Sequence, residues 1–299
     1  MSAASDAIAR ASAQARAQMD TLDDDSAAQL RQLYEQVIAQ LQRDLRAYGD
    51  DQGHLRVEVL NAYLRQAIAR LDGLSAAQRD LLQQHLSQSA QLGARPWGAS
   101  GGILPSALPL PLLADAAARF VNQFTAADGL RLSDRLWRLD RGAKERIADV
   151  LRRNVVMGRD ASRAAAEFLA LGQEIPREIQ QQLGLDQIDT AGKTIAELLL
   201  TGPGNPYANA RRVFRTEMNR AHGEAYRAGA GAHPDVIGER FVLSPNHPKA
   251  DICDEYARAD DYGLGPGVYP VGKAPWPAHP NTMSYLEAVF RHEVPDHAR

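Results

Sequence analysis

The first proline of this chain is Pro96. Everything before it is dominated by Ala, Gln, Leu and Arg, side chains that lose little freedom in a helix. A stretch this long without a breaker constrains the fold more than any motif does, because it has to be built from long helices. Leu30, Leu33, Val37, Leu41 and Leu45 recur at spacings of three and four and mark one apolar face. A break is expected at YGDDQGH, residues 48–54, before a second helix whose apolar positions are Val57, Val59, Leu60, Leu64, Ile68 and Leu71. In DGLSAAQ, Gly73 reads as a stop, and Ser75 with Gln78 as a capping box that restarts the helix. Residues 1–93 are therefore expected to form a helical hairpin or three-helix bundle, a structural or assembly module.

Residues 94–112 hold a cluster of Gly and Pro and read as a linker or extended arm. The segment is apolar for a linker, with Trp97, Ile103, Leu104, Leu108, Leu110 and Leu112. It is expected to lie along a surface, its own or a partner's. Residues 113–206 return to helical patterning. Ser133 is the expected N-cap, and Leu136, Leu139, Ile147, Val150 and Leu151 form the apolar face. The other face carries Arg135, Arg138, Arg141, Lys144, Arg146, Arg152 and Arg153, interleaved with Asp134, Asp140, Glu145 and Asp149. A basic face can touch nucleic acid, but acids at this spacing can pair with it and leave a solvated surface. GRDAS predicts a further turn, with Asp160 or Ser162 opening a short helix through Leu169.

TGPGNPYANA, residues 201–210, is the second breaker cluster, and the region 207–299 begins with a helix. Val213, Met218, Ala221, Ala225 and Ala228 form its expected apolar stripe, with Phe214 and Tyr226 at the edges. Arg215 and Glu217 sit two apart and point to different sides. One is expected to tie the helix to the following loop and the other to face solvent. A strand is expected at GERFVLS, residues 238–244, and MSYLEAVFR near the end reads as a short strand or helix. The fold class is therefore mainly α in the N-terminal and middle regions, with a small, loop-rich α+β domain at the C-terminus.

Formal net charge is -3, so bulk electrostatics do not favour a tight nucleic-acid binder. The N-terminus has no apolar signal segment, and no run is long enough to span a membrane. With one cysteine, no internal disulfide can form. No Gly-rich phosphate loop, Ser-His-Asp arrangement or HExxH motif is present, and no catalytic residue is assigned. One cluster offers chemistry. His247, Asp251, Cys253 and His279 are the candidate metal ligands, and zinc is the ion such nitrogen, oxygen and sulfur donors would suit. The competing reading is that His-Pro dipeptides fix turns and Cys253 packs as a small apolar residue. A Cys–His nucleophile is disfavoured, because Asp251, Asp254 and Glu255 surround Cys253 and oppose a thiolate.

RVFRTEMNRAHGEAYRAG, then a strand, then LSPNHPKADICDEYARADDYGLGPGVYPVGKAPWPAHPN resembles the C-terminal domain of phage Mu protein F-like head morphogenesis proteins, also called minor head or minor capsid proteins. The similar pieces are the RTEMNRAHGEAY helix, the Asp-Ile-Cys-Asp segment and the His-Pro-Asn ending, together spanning about residues 207–285. The helical stretch DGLRLSDRLWRLDRGAKERIADVLRRNVVMG also looks like the part preceding that domain. The resemblance implies a non-enzymatic role in tailed-phage head assembly. The chain would be made in the host cytoplasm and held in the virion head near the portal vertex. Its partners would be the portal protein and major capsid or scaffold proteins, with a role in DNA packaging or ejection. Where the family pattern ends HPxCxC, Thr282 and Ser284 stand in place of the two thiols. Two alternatives belong to other classes: a metal-dependent nuclease- or hydrolase-like enzyme using the His/Asp/Cys cluster, and an internal virion protein contacting phage DNA through the Arg-rich helix.

Overall fold

The computed structural model describes residues 3–49, 57–100, 109–126, 128–170, 187–245, 247 and 250–294. The helices are α1 (Ala3–Ala47), α2 (Val57–Ala94), α3 (Leu110–Gln123), α4 (Leu132–Ala170), α5 (Gln187–Ala196), α6 (Pro206–Ala232) and the short α7 (Ile252–Tyr256). A 3-10 turn, Arg95–Ser100, follows α2, and a π turn, Glu197–Thr201, follows α5. The strands β1 (Val236–Val242), β2 (Val268–Pro270) and β3 (Tyr285–Phe290) form one antiparallel sheet in the order β2-β1-β3. The mainly helical architecture with a small C-terminal α+β region is as expected from the sequence. No helix among the described residues is long and apolar enough to cross a membrane.

Several local expectations are corrected. Helix α2 runs without interruption through Gly73 and Ser75. One glycine costs only about 1 kcal/mol in a helix interior, too little to stop a helix of 38 residues. Its buried stripe passes through Tyr63, Ala67, Leu71, Leu74 and Leu82, whereas Ile68 is exposed. Helix α4 starts at Leu132, so Ser133 lies inside it, and Asp134 takes the capping role by accepting from the Arg131 N–H at 2.9 Å. The turn expected at GRDAS is absent, because α4 continues to Ala170. The break expected at 48–54 falls mostly outside the described residues, as do Ile103, Leu104 and Leu108 of the expected arm.

The described chain forms two compact units that do not follow the divisions 1–93, 94–112, 113–206 and 207–299. One gathers residues 29–79 and 136–210, and the other residues 1–28, 80–135 and 211–299. In the first, Leu30, Tyr34, Val37, Leu41 and Leu45 of α1 are buried, as are Leu136, Ile147, Val150 and Leu151 of α4. The Tyr63 hydroxyl donates to the Leu41 carbonyl at 3.0 Å, and Arg70 pairs with Asp44 at 2.8 Å. Pro206 sits at the start of α6, and Asn205 caps it by accepting from the Ala208 N–H at 2.7 Å.

In the second unit, Ile8 of α1, Trp97, Tyr226 of α6, Phe241 of β1, Cys253 of α7, Trp276, Leu286 and Phe290 share one core. Trp97 lies fully buried with its ring centroid 5.1 Å from that of Tyr226. Of the apolar arm expected to lie along a surface, its own or a partner's, Trp97 packs into its own unit's core. Two glycines of α6 make room for the indoles. A Cβ on Gly229 would stand 2.1 Å from Trp97, and one on Gly223 would stand 2.2 Å from Trp276.

Candidate functional site

The expected stripe on α6 understates its burial. Phe214, Met218, Ala221, Ala225 and Tyr226 are buried, but so are Thr216, Glu217, Asn219, Arg220 and His222. Val213 is only partly buried and Ala228 is exposed. A helix covered on nearly every side must satisfy its polar side chains internally. Arg215 forks onto Asp23 of α1, with Nη2–Oδ2 at 2.6 Å. Glu217 pairs with Arg220 one turn on and lies 4.0 Å from Arg135. Neither Arg215 nor Glu217 faces solvent, which corrects the expectation for that pair. Desolvation raises the Glu217 pKa, and the Arg220 charge beside it pulls the other way.

Thr216 and Asn219 hold the distant loop that ends in His-Pro-Asn. The Asn281 N–H donates to Thr216 Oγ1 at 2.8 Å. Asn219 Nδ2 donates to the carbonyls of Thr282 at 3.0 Å and Ser284 at 3.1 Å, while its Oδ1 accepts from Arg16 at 3.1 Å. Asn281 has a φ of 68°, a left-handed conformation that Asn adopts more readily than most residues. That turn brings His279, Thr282 and Ser284 over α7.

Helix α7 starts at a capping box. Asp251 Oδ1 accepts from the Cys253 N–H at 2.7 Å, and Asp254 Oδ2 accepts from the Asp251 N–H at 2.8 Å. Because the cap fixes the Asp251 carboxylate, its other oxygen is presented to His279, with Nε2–Oδ2 at 3.1 Å. Ligand atoms of Asp251, Cys253 and His279 all lie within 4.8 Å of one another. His247 stands on the other side of Asp251, at 3.7 Å from Oδ1, and hydrogen-bonds Asp254 Oδ2 at 2.9 Å. The four candidate ligands thus meet around Asp251, but as two overlapping groups. Three share one point, and His247 is engaged by Asp254, a residue the sequence reading did not count as a ligand. The spacing i, i+3 in a capping box was the signal that could have found it.

The electrostatics follow the geometry. The bond from the Asp251 N–H, then the one from His247, holds Asp254 down at about 2. Desolvation pushes Asp251 up, but the hydrogen bonds from Cys253, then the electrostatic attraction of His279 and His247, outweigh it and leave its pKa lowered. Desolvation raises the Cys253 thiol, and the nearby Asp251 carboxylate adds to the shift. Cys253 is fully buried, with Sγ 3.6 Å from Thr282 Oγ1. A buried thiol kept protonated is the opposite of what nucleophilic catalysis requires. Thr282 and Ser284 are themselves buried, so their hydroxyls pack where the resemblance would place thiols.

The basic face of α4 is largely neutralised. Arg135 pairs with Asp128, Arg141 with Glu145, Lys144 with Asp140 and Asp72, and Arg152 with Asp149. Comparison with family models, with curated proteins and with solved structures finds no match to the chain.

Proposed function

We propose that this chain is a non-catalytic minor head protein of a tailed phage, of the Mu protein F-like kind, bound to the portal and inner capsid. One observation carries the reading. The three sequence pieces behind the resemblance lie far apart in the chain yet interlock as one largely buried network. Thr216 and Asn219 of the RTEMNRAH helix hold Asn281, Thr282 and Ser284 of the His-Pro-Asn loop, and Thr282 meets Cys253 of the Asp-Ile-Cys-Asp segment. A shared set of residues that serves to hold a domain together is what a structural family would keep. Leu112 and Phe120 stand exposed on α3 and supply apolar surface that a partner could cover.

The test is co-expression with a tailed-phage portal protein. The chain should co-purify with the portal, and Leu112→Asp with Phe120→Asp should weaken that association without unfolding the chain. No association with portal or procapsid would sink the reading. The DNA-contacting alternative predicts an affinity that falls steeply with salt. With Arg135, Arg141, Lys144 and Arg152 of α4 already paired to acids, the expected result is no such dependence in a filter-binding or anisotropy titration.

A further inference from the structure

We infer that Asp251, Cys253 and His279 form a zinc-binding site that staples the start of α7 to the 279–284 loop. This does not depend on the head-protein reading. It rests on geometry, the ligand atoms of the three residues lying within 4.8 Å of one another. His279 Nδ1 lies 2.8 Å from the Pro280 carbonyl oxygen. A carbonyl only accepts, so Nδ1 carries the proton and, in the neutral ring, Nε2 bears a lone pair. Nε2 lies 3.1 Å from Asp251 Oδ2. Nε2 is shielded from solvent, yet it makes no aligned hydrogen bond to that oxygen or to any other described group. Two acceptors this close need a proton or a metal ion between them. Donation from the far ring nitrogen to a backbone carbonyl is also how a ligating histidine is oriented.

The Asp251–His279 spacing suits a small tetrahedral ion. Zinc bonds of about 2.0–2.2 Å to nitrogen and oxygen put neighbouring donors roughly 3.3–3.5 Å apart, close to the observed Asp251–His279 separation. The thiol completes a mixed S, N, O set that favours zinc over magnesium or calcium. Binding proceeds with balanced protons: the Cys253 Sγ–H bond breaks, the proton passes to solvent, and the sulfur lone pair bonds the ion. Asp251 and His279 contribute lone pairs without losing protons. His247 is not one of the ligands, because Asp254 already holds its Nε2.

Cobalt(II) substituted for zinc on the full-length chain reports the site directly. The expected result is one ion per chain, tetrahedral d–d absorption and a thiolate-to-cobalt charge-transfer band. Cys253→Ser should abolish that band, His279→Gln should weaken binding at least tenfold, and His247→Gln should change it little. Thr282→Cys under reducing conditions places a second thiolate beside Cys253 and should tighten binding tenfold or more. That gain separates loss of a ligand from loss of the fold. Zinc should also slow alkylation of Cys253. Failure to bind cobalt or zinc, a bound ion without the thiolate band, or stronger dependence on His247 than on His279 would overturn the proposal.

Discussion

Asn219 shows how one side chain can join elements that are remote in sequence. Its amide has both donors and its acceptor in use, reaching Arg16 in α1 and two carbonyls of the 279–284 loop, all within a buried site. Replacing it with Leu keeps the volume and orphans these partners. Each buried unsatisfied group costs about 1–3 kcal/mol, so Asn219→Leu should lose roughly 3 kcal/mol or more in urea unfolding. His222 carries a second consequence. Desolvation, then the nearby Arg16 charge, lowers its pKa to about 3 in the folded chain, while an unfolded histidine titrates near 6.5. The unfolded state therefore binds more protons between those values, and stability should be full above about pH 6.5 and fall as the pH drops toward about 3. The size of the loss is roughly 5 kcal/mol at 1.36 kcal/mol per unit. Unfolding measured from pH 7 to 4.5 should show this slope, and His222→Gln should flatten it. None of this was legible from residue types: the sequence marks His222 and Asn219 as polar helix positions, and only the packing of α1 and the loop over α6 makes them buried.

Helices were legible where apolar spacing is regular, as in Leu30, Val37, Leu41 and Leu45, all of which are buried. Their ends were less so, because a stop signal is a small local preference that competes with a whole helix. Gly73 and Gly93 separate the two effects within α2. A Cβ at Gly73 meets nothing within 4 Å, whereas one at Gly93 would lie 2.0 Å from the His222 carbonyl oxygen of α6. Gly73→Ala should stabilise the chain by about 0.5–1 kcal/mol through helix propensity alone. Gly93→Ala should destabilise it, since the obstacle is backbone and one of the two helices has to move. Thermal unfolding of the pair should shift in opposite directions. The same contrast explains the candidate site. Its residues were visible in the sequence as chemistry, but the capping box that aims Asp251 at His279 and draws His247 to Asp254 is a property of the element.

At the scale of the molecule, the resemblance begins near residue 207, and a reader of the sequence would cut there. The core argues otherwise. Tyr226, Phe241, Cys253, Trp276 and Leu286 of the C-terminal region pack with Ile8 and Trp97, which come from near the first helix's start and from just after α2. Charge follows the same pattern: Arg215 is neutralised by Asp23 and Asn219 is bound by Arg16. A side chain's type does not tell which core it will join, so Trp97 in a Gly- and Pro-rich stretch reads as an arm although it is fully buried. A fragment of residues 207–299 would lose the Trp97 ring that occupies the space above Gly229, leave Arg215 without its carboxylate, and expose the apolar side of α6. Deleting a buried Trp alone costs about 3–5 kcal/mol, a large part of the 5–15 kcal/mol that holds a domain folded. The fragment should therefore show collapsed amide dispersion in a proton–nitrogen spectrum and rapid proteolysis, while the full chain with Trp97→Ala should fold with reduced stability. A fragment that gave a dispersed, protease-resistant spectrum would mean that the C-terminal region carries its own core and that Ile8 and Trp97 only lie against it.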